Sequence, residues 1–224
     1  MGHFIMEYIE DTRAYFSEDY KQRILFELFG NAYRTIMSVY IFKHFEEYVK
    51  QLHSDKNEDK KEEYWNASYY EKLIDYIKIS VAFENFNKAL LLRDRYLVHK
   101  IQKNEHNKHL VKIQREGIPV RLDDFMIVCP FVSDKFNRKC YLSGLTDNFQ
   151  TIKFSDTLNE NYQAILKLDS TLLHHIKRIN DNRNRLHFFT DFKGAFEVKR
   201  HIQKWQFIKD ISIELMKTEF LKYK

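Results

Sequence analysis

The chain has 224 residues, 44% hydrophobic and 31% charged, a globular balance that excludes a disordered or fibrous polypeptide. Five glycines and two prolines are too few turn residues for a hairpin-rich all-β fold, so a mainly all-α class is expected. A formal net charge of +5 permits attraction to nucleic acid without requiring it, and Cys129 and Cys140 form neither a disulfide framework nor a CxxC pair.

The opening MGHFIMEYIEDTRAYF lacks the positive start and apolar core of a secretory signal. Met6 stands where a myristoylation signal carries Ser or Thr. No apolar run approaches the length that spans a bilayer, so the expected location is cytoplasmic, with no membrane partner.

Residues 17 to 52 read as one long helix. Ser17 is its N-cap, Glu18 and Asp19 occupy the first turn, and Ile24, Leu25, Leu28, Phe29, Tyr33 and Ile36 recur at helical spacing. The run SDKNEDKKEEY at 54–64 has no apolar residue before Tyr64 and reads as a solvated loop or frayed helix end. A second helix is predicted over 67–99, with Leu73, Ile77, Val81, Phe86 and Leu90 on its core face, followed by a polar exit at KNEHNK. Residues 117 to 155 differ: they hold both prolines and β-branched runs, FMIVCPFV and QTIKF, that read as short strands. We expect an irregular insert here, able to form a β-hairpin, between two helical halves. A third helix is predicted over 158–180 and a last one over 197–221. The expected architecture is a single domain, 1–224, built as a bundle of four to five helices.

Several site types are absent. There is no phosphate-binding glycine loop and no HExxH. His106 and His109 in EHNKH have no cysteine or carboxylate cluster beside them in sequence, so neither a metal nor a cofactor is expected. His174 and His175 are adjacent, which on a helix points them in different directions and lets at most one join a given site.

Two Arg-to-His segments remain. LLLRDRYLVHK carries Arg93, Asp94 and His99, and RINDNRNRLHFF carries Arg178, Arg183, Asn184, Arg185 and His187. Arg183 and His187 are four apart, so a helix places both on one face, with Asn184 beside Arg183. Such a pair suits RNA cleavage by the 2′-hydroxyl. Histidine moves protons near neutrality, and arginine, always charged, stabilises the crowded phosphorane-like transition state.

FENFNKALLLRDRYLVHKI followed by RINDNRNRLHFF resembles the HEPN superfamily. Those domains are helical bundles, generally dimeric, and many are metal-independent endoribonucleases of toxin–antitoxin, phage-defence and RNA-processing systems. The family signature is an Arg, usually followed by a polar residue, with four to six residues before a His; the dimer brings two copies into one cleft. The resemblance implies Arg183, Asn184 and His187 as the catalytic set, with Arg178 and Arg185 gripping RNA phosphates and an antitoxin-like protein as a further partner. Arg93, Asp94 and His99 are second candidates. Only three residues separate Arg183 from His187, one short of the signature, whereas five separate Arg93 from His99. The rival reading is a non-catalytic HEPN-like module that binds RNA, a nucleotide or a protein. Without any such role, the arginines are a solvated face near a helix C-terminus and His187 is a cap or core residue.

Overall fold

The computed structural model describes Tyr15 and residues 17–40, 58–101, 103, 105–128, 151–186 and 198–224. Among these there are eight helices and no strand, which places the chain in the all-α class. In chain order they are α1 (Glu18–Met37), α2 (Glu58–Arg93), α3 (Lys108–Arg115), α4 (Leu122–Val128), α5 (Phe154–Thr157), α6 (Glu160–Leu166), α7 (Ser170–Leu186) and α8 (Val198–Leu221). No described helix is long and apolar enough to cross a membrane.

The chain divides into two compact units. The first comprises Met1–Gly30, Glu84–Asp169 and Phe220–Lys224; the second comprises Asn31–Phe83 and Ser170–Glu219.

The core of the first unit is aromatic. Phe29 meets Phe86 edge-on, with ring centroids 5.7 Å apart, and stacks on Tyr223 at 5.3 Å. Phe29, Phe86 and Phe125 are fully buried, and each such side chain contributes about 1.5–3 kcal/mol of hydrophobic stabilisation.

Helix α2 begins at Glu58, inside the stretch expected to be a loop or frayed end, and stops at Arg93, six residues before the expected end. The stop is a Schellman turn. Arg95 adopts φ 62°, its N–H donates to the Leu92 carbonyl at 3.2 Å, and the Tyr96 N–H donates to Leu91 at 2.8 Å. The left-handed residue is an arginine where glycine is usual, which is why the sequence gives no stop signal there. The Arg95 side chain is held by Asp123 at 2.6 Å.

The segment after this turn, 96–101, is extended, and much of its backbone is paired with distant parts of the chain. Leu97 N–H donates to Val120 O, Val98 N–H to the Tyr15 hydroxyl, and Ile101 N–H to Gln114 Oε1. The Val98 carbonyl accepts from Ile152 N–H, and the His99 carbonyl from Gln114 Nε2. Antiparallel bridges join Tyr96 to Arg121 and His99 to Thr151. Both ends of the expected insert therefore pair with 96–101, and buried backbone is left with partners as it must be.

Within the insert, Phe125–Val128 of the predicted strand FMIVCPFV is helical, as part of α4. Asp123 and Asp124 favour its first turn, and Leu122 and Phe125, three apart, are its buried residues. In QTIKF, Thr151 makes the single bridge and Phe154 opens α5. The described residues of the insert thus hold α4, the start of α5 and two bridge residues, and its centre, 129–150, lies outside the described residues. At the neck, Gly117 has φ 73° and a Cβ there would come within 2.7 Å of Asn159 Nδ2. Asn159 donates to the Gly117 carbonyl at 3.0 Å and caps α6 by accepting from Tyr162 N–H.

The predicted helix over 158–180 is two helices. Lys167 at φ 52° ends α6, and Ser170 begins α7, which runs past Asn180 to Leu186.

In the second unit, α1 closes at Met37, and its end is satisfied by side chains from elsewhere in the chain. Lys78 Nζ donates to Ser38 O and Lys209 Nζ to Val39 O, both at 2.6 Å, while Asp75 accepts from Tyr40 N–H. The expected continuation to Leu52 falls largely on 41–57, outside the described residues. Tyr76 meets Trp205 edge-on at 4.9 Å, and Ile79, Phe83, Leu172, Ile176, Ile208 and Met216 are buried in this unit.

Candidate functional site

Helix α7 carries most of RINDNRNRLHFF. Leu172, Ile176, Ile179 and Asn180 are its buried residues, a spacing of four, three and one that defines one inner stripe. Apart from Leu173 and Leu186, the remaining positions are polar. Lys177 and Arg178 are exposed and Arg183 is half-buried. Among the described residues, no ion pair or hydrogen bond engages these three cations. Asn184 and Arg185 lie in the last turns of α7, with side chains outside the described residues; His187 lies outside them altogether.

The same helix carries a histidine pair that the sequence reading separated. The rings of His174 and His175 meet edgewise, centroids 5.6 Å apart, and His175 also meets Phe207 of α8 at 6.5 Å. His174 is exposed and His175 half-buried. Burial, followed by the positive charge of Lys204, His174 and Arg178, holds His175 below the usual histidine range. Phe207 keeps 43% of its surface exposed. Adjacent residues diverge at Cβ, which is why the sequence assigns the two to different sites; a neighbouring ring on α8, which one helix's period cannot reveal, contacts His175.

The second candidates sit in different local structures. Arg93 ends α2 and is gripped by the next residue: Nε donates to Asp94 Oδ1 at 2.7 Å and Nη2 to Oδ2 at 3.2 Å. His99 is not on that helix. It is 2% exposed, in the extended segment, with Nδ1 2.7 Å from the Tyr15 hydroxyl and its ring edge-on to the Tyr15 ring. Burial pushes the Tyr15 hydroxyl far above its ordinary pKa, so it stays protonated and can donate to His99 while accepting from Val98 N–H. Lys88 lies near this layer, 2% exposed, donating to Glu84 at 2.7 Å and Thr151 Oγ1 at 2.9 Å. These groups hold the 96–101 segment in place. Their geometry is that of a buried polar layer, built on the Tyr15–His99 and Lys88–Glu84–Thr151 hydrogen bonds.

His106 and His109 are both exposed, His109 at the start of α3. No group of three or more His, Cys, Asp or Glu side chains converges among the described residues. No protein-family model, curated protein or solved structure matches the chain.

Proposed function

We propose that the chain is an RNA-directed protein of the HEPN type: a metal-independent endoribonuclease of toxin or defence kind, working as a homodimer. The observation that supports this reading is the outer face of α7, where Lys177, Arg178 and Arg183 are engaged by no described ion pair beside a histidine pair and a partly exposed Phe207. Cations without internal partners serve a polyanion, and an exposed ring offers a base a stacking surface.

In the proposed chemistry the 2′-hydroxyl of a ribose attacks the adjacent phosphorus and the 5′-oxygen leaves. The products are a 2′,3′-cyclic phosphate and a 5′-hydroxyl. His187 acts as general base or acid, taking the 2′ proton or supplying the one the 5′-oxygen needs. Arg183 stabilises charge on the non-bridging oxygens, Asn184 positions it, and Arg178 and Arg185 hold flanking phosphates.

The test is cleavage of mixed cellular RNA in excess chelator, comparing the wild type with His187→Ala. The expected result is cutting by the wild type only. Equal cutting by both removes His187 from the mechanism. Salt-sensitive binding with no cutting by either leaves the non-catalytic module, which the short Arg183–His187 spacing favours. A monomer at high concentration in solution refutes a composite two-fold site.

A further inference from the structure

The first unit holds a cleft of about 400 Å³ that the RNA-cleavage reading does not use. Its floor is apolar, built from Ile101, Val111 and Ile152, all buried. Its rim is cationic: Lys103, Arg115 and Lys153 line it and are exposed, and none makes an ion pair with a described residue. Lys100 also lines it, and among the described lining residues the one carboxylate is Asp156, which already accepts the Lys153 backbone N–H at 3.2 Å. The walls are fixed rather than loose. Gln114 is tied at both ends to the backbone of His99 and Ile101, and Gly117 is clamped by Asn159.

An excess of three cations over one committed acid calls for a ligand with more than one negative charge. Lysine and arginine residues that line one cleft from three chain segments match a phosphate, whose oxygens accept from several donors at once. The apolar floor calls for a carbon body attached to it. The volume lies in the range of small-molecule sites.

The geometry points to a binding site for a small phosphorylated organic molecule, with its phosphate on Lys103, Arg115 and Lys153 and its carbon body on Ile101, Val111 and Ile152. The proposal stands on the first unit alone and does not depend on RNA cleavage.

Isothermal titration of the full chain with adenosine diphosphate, ribose 5-phosphate and inorganic phosphate tests it. At least one of the two organic phosphates is expected to bind saturably and more tightly than inorganic phosphate. Arg115→Glu combined with Lys153→Glu, both exposed positions, is expected to weaken that binding tenfold or more with an unchanged thermal midpoint, and Lys103→Glu alone to weaken it by a smaller factor. Which organic phosphate binds assigns the body: a nucleoside or a bare sugar. No saturable binding of any probe at millimolar concentration overturns the site, as does binding that the rim substitutions leave unchanged. Inorganic phosphate binding as tightly as both organic probes overturns the role of the floor.

Discussion

The second half of α2 and the length of α7 make opposite use of a helix. From Ile79 to Leu92 only Val81 and Glu84 escape full burial, so α2 is enclosed on every side there. Helix α7 buries one stripe and leaves the rest to solvent. The consequence falls on their polar residues. In α2, Asn87 Nδ2 donates to Thr157 and Lys88 to Glu84 and Thr151, pairings that offset part of the roughly 1–3 kcal/mol each enclosed polar group costs without a partner; Ser80 Oγ, Asn85 Nδ2 and Asn87 Oδ1 make no such bond. In α7, Lys177 and Arg178 carry no such obligation and remain available to a ligand. Burial thus separates the described residues of the two Arg-to-His segments: His99 is enclosed, whereas Arg178 is exposed.

Substitutions can break this contrast. The largest effect is expected from Phe86→Ala, which empties a fully buried site against Phe29 and should cost about 3–5 kcal/mol by urea unfolding, while Arg178→Ala stays within about 0.5 kcal/mol. Comparable losses for the two would mean that α7 is as enclosed as α2. Next comes Tyr15→Phe. It strips the hydroxyl from Val98 N–H and His99 Nδ1 and should cost about 1–3 kcal/mol, leaving phosphate-dependent binding at the cationic face untouched. A neutral Tyr15→Phe would free His99 from its structural assignment.

The smallest effect is on pH dependence. His175 is held below its ordinary value in the folded chain, so the unfolded chain takes up its proton first. The stability tied to neutral His175 is complete above the unfolded pKa and drains away as pH falls through the interval beneath it. His175→Gln should therefore flatten the mildly acidic limb of a stability-against-pH curve, with little change at alkaline pH. An identical limb in the variant would place the acid sensitivity elsewhere.

The parts of the fold legible in the sequence are those set by long periodic stripes. Helix α8, expected over 197–221, spans Val198–Leu221, and α1 starts where Ser17 and its acidic first turn put it. The illegible parts are stops without a stop signal. Arg95 and Lys167 take left-handed conformations with neither glycine nor proline to announce them, so the periodicity carries α2 past its true C-terminal end and fuses α6 with α7. Helix α3 has eight residues, too few for periodicity to stand out from the polar exit before it. At the candidate site, the helical placement of Arg178 followed from the pattern, whereas Arg183 lies beyond the helix end expected at Asn180. The fate of His99 did not: its partner Tyr15 is 84 positions away, a distance at which local pattern carries no information.

The extended segment 96–101 has a consequence for the order of events during synthesis. Its hydrogen-bond partners are Tyr15, far upstream, and Gln114, Val120 and Ile152, all downstream. As the chain leaves the ribosome, α2 has local bonds with which to form, but this segment must wait until residue 152 has emerged. Closing contacts over such separations is slow compared with helix growth. For that interval the chain carries a finished helix joined to a strip of backbone with no partner, and the strip is a point at which a chaperone, or a neighbouring nascent chain, can intervene before the native clasp forms.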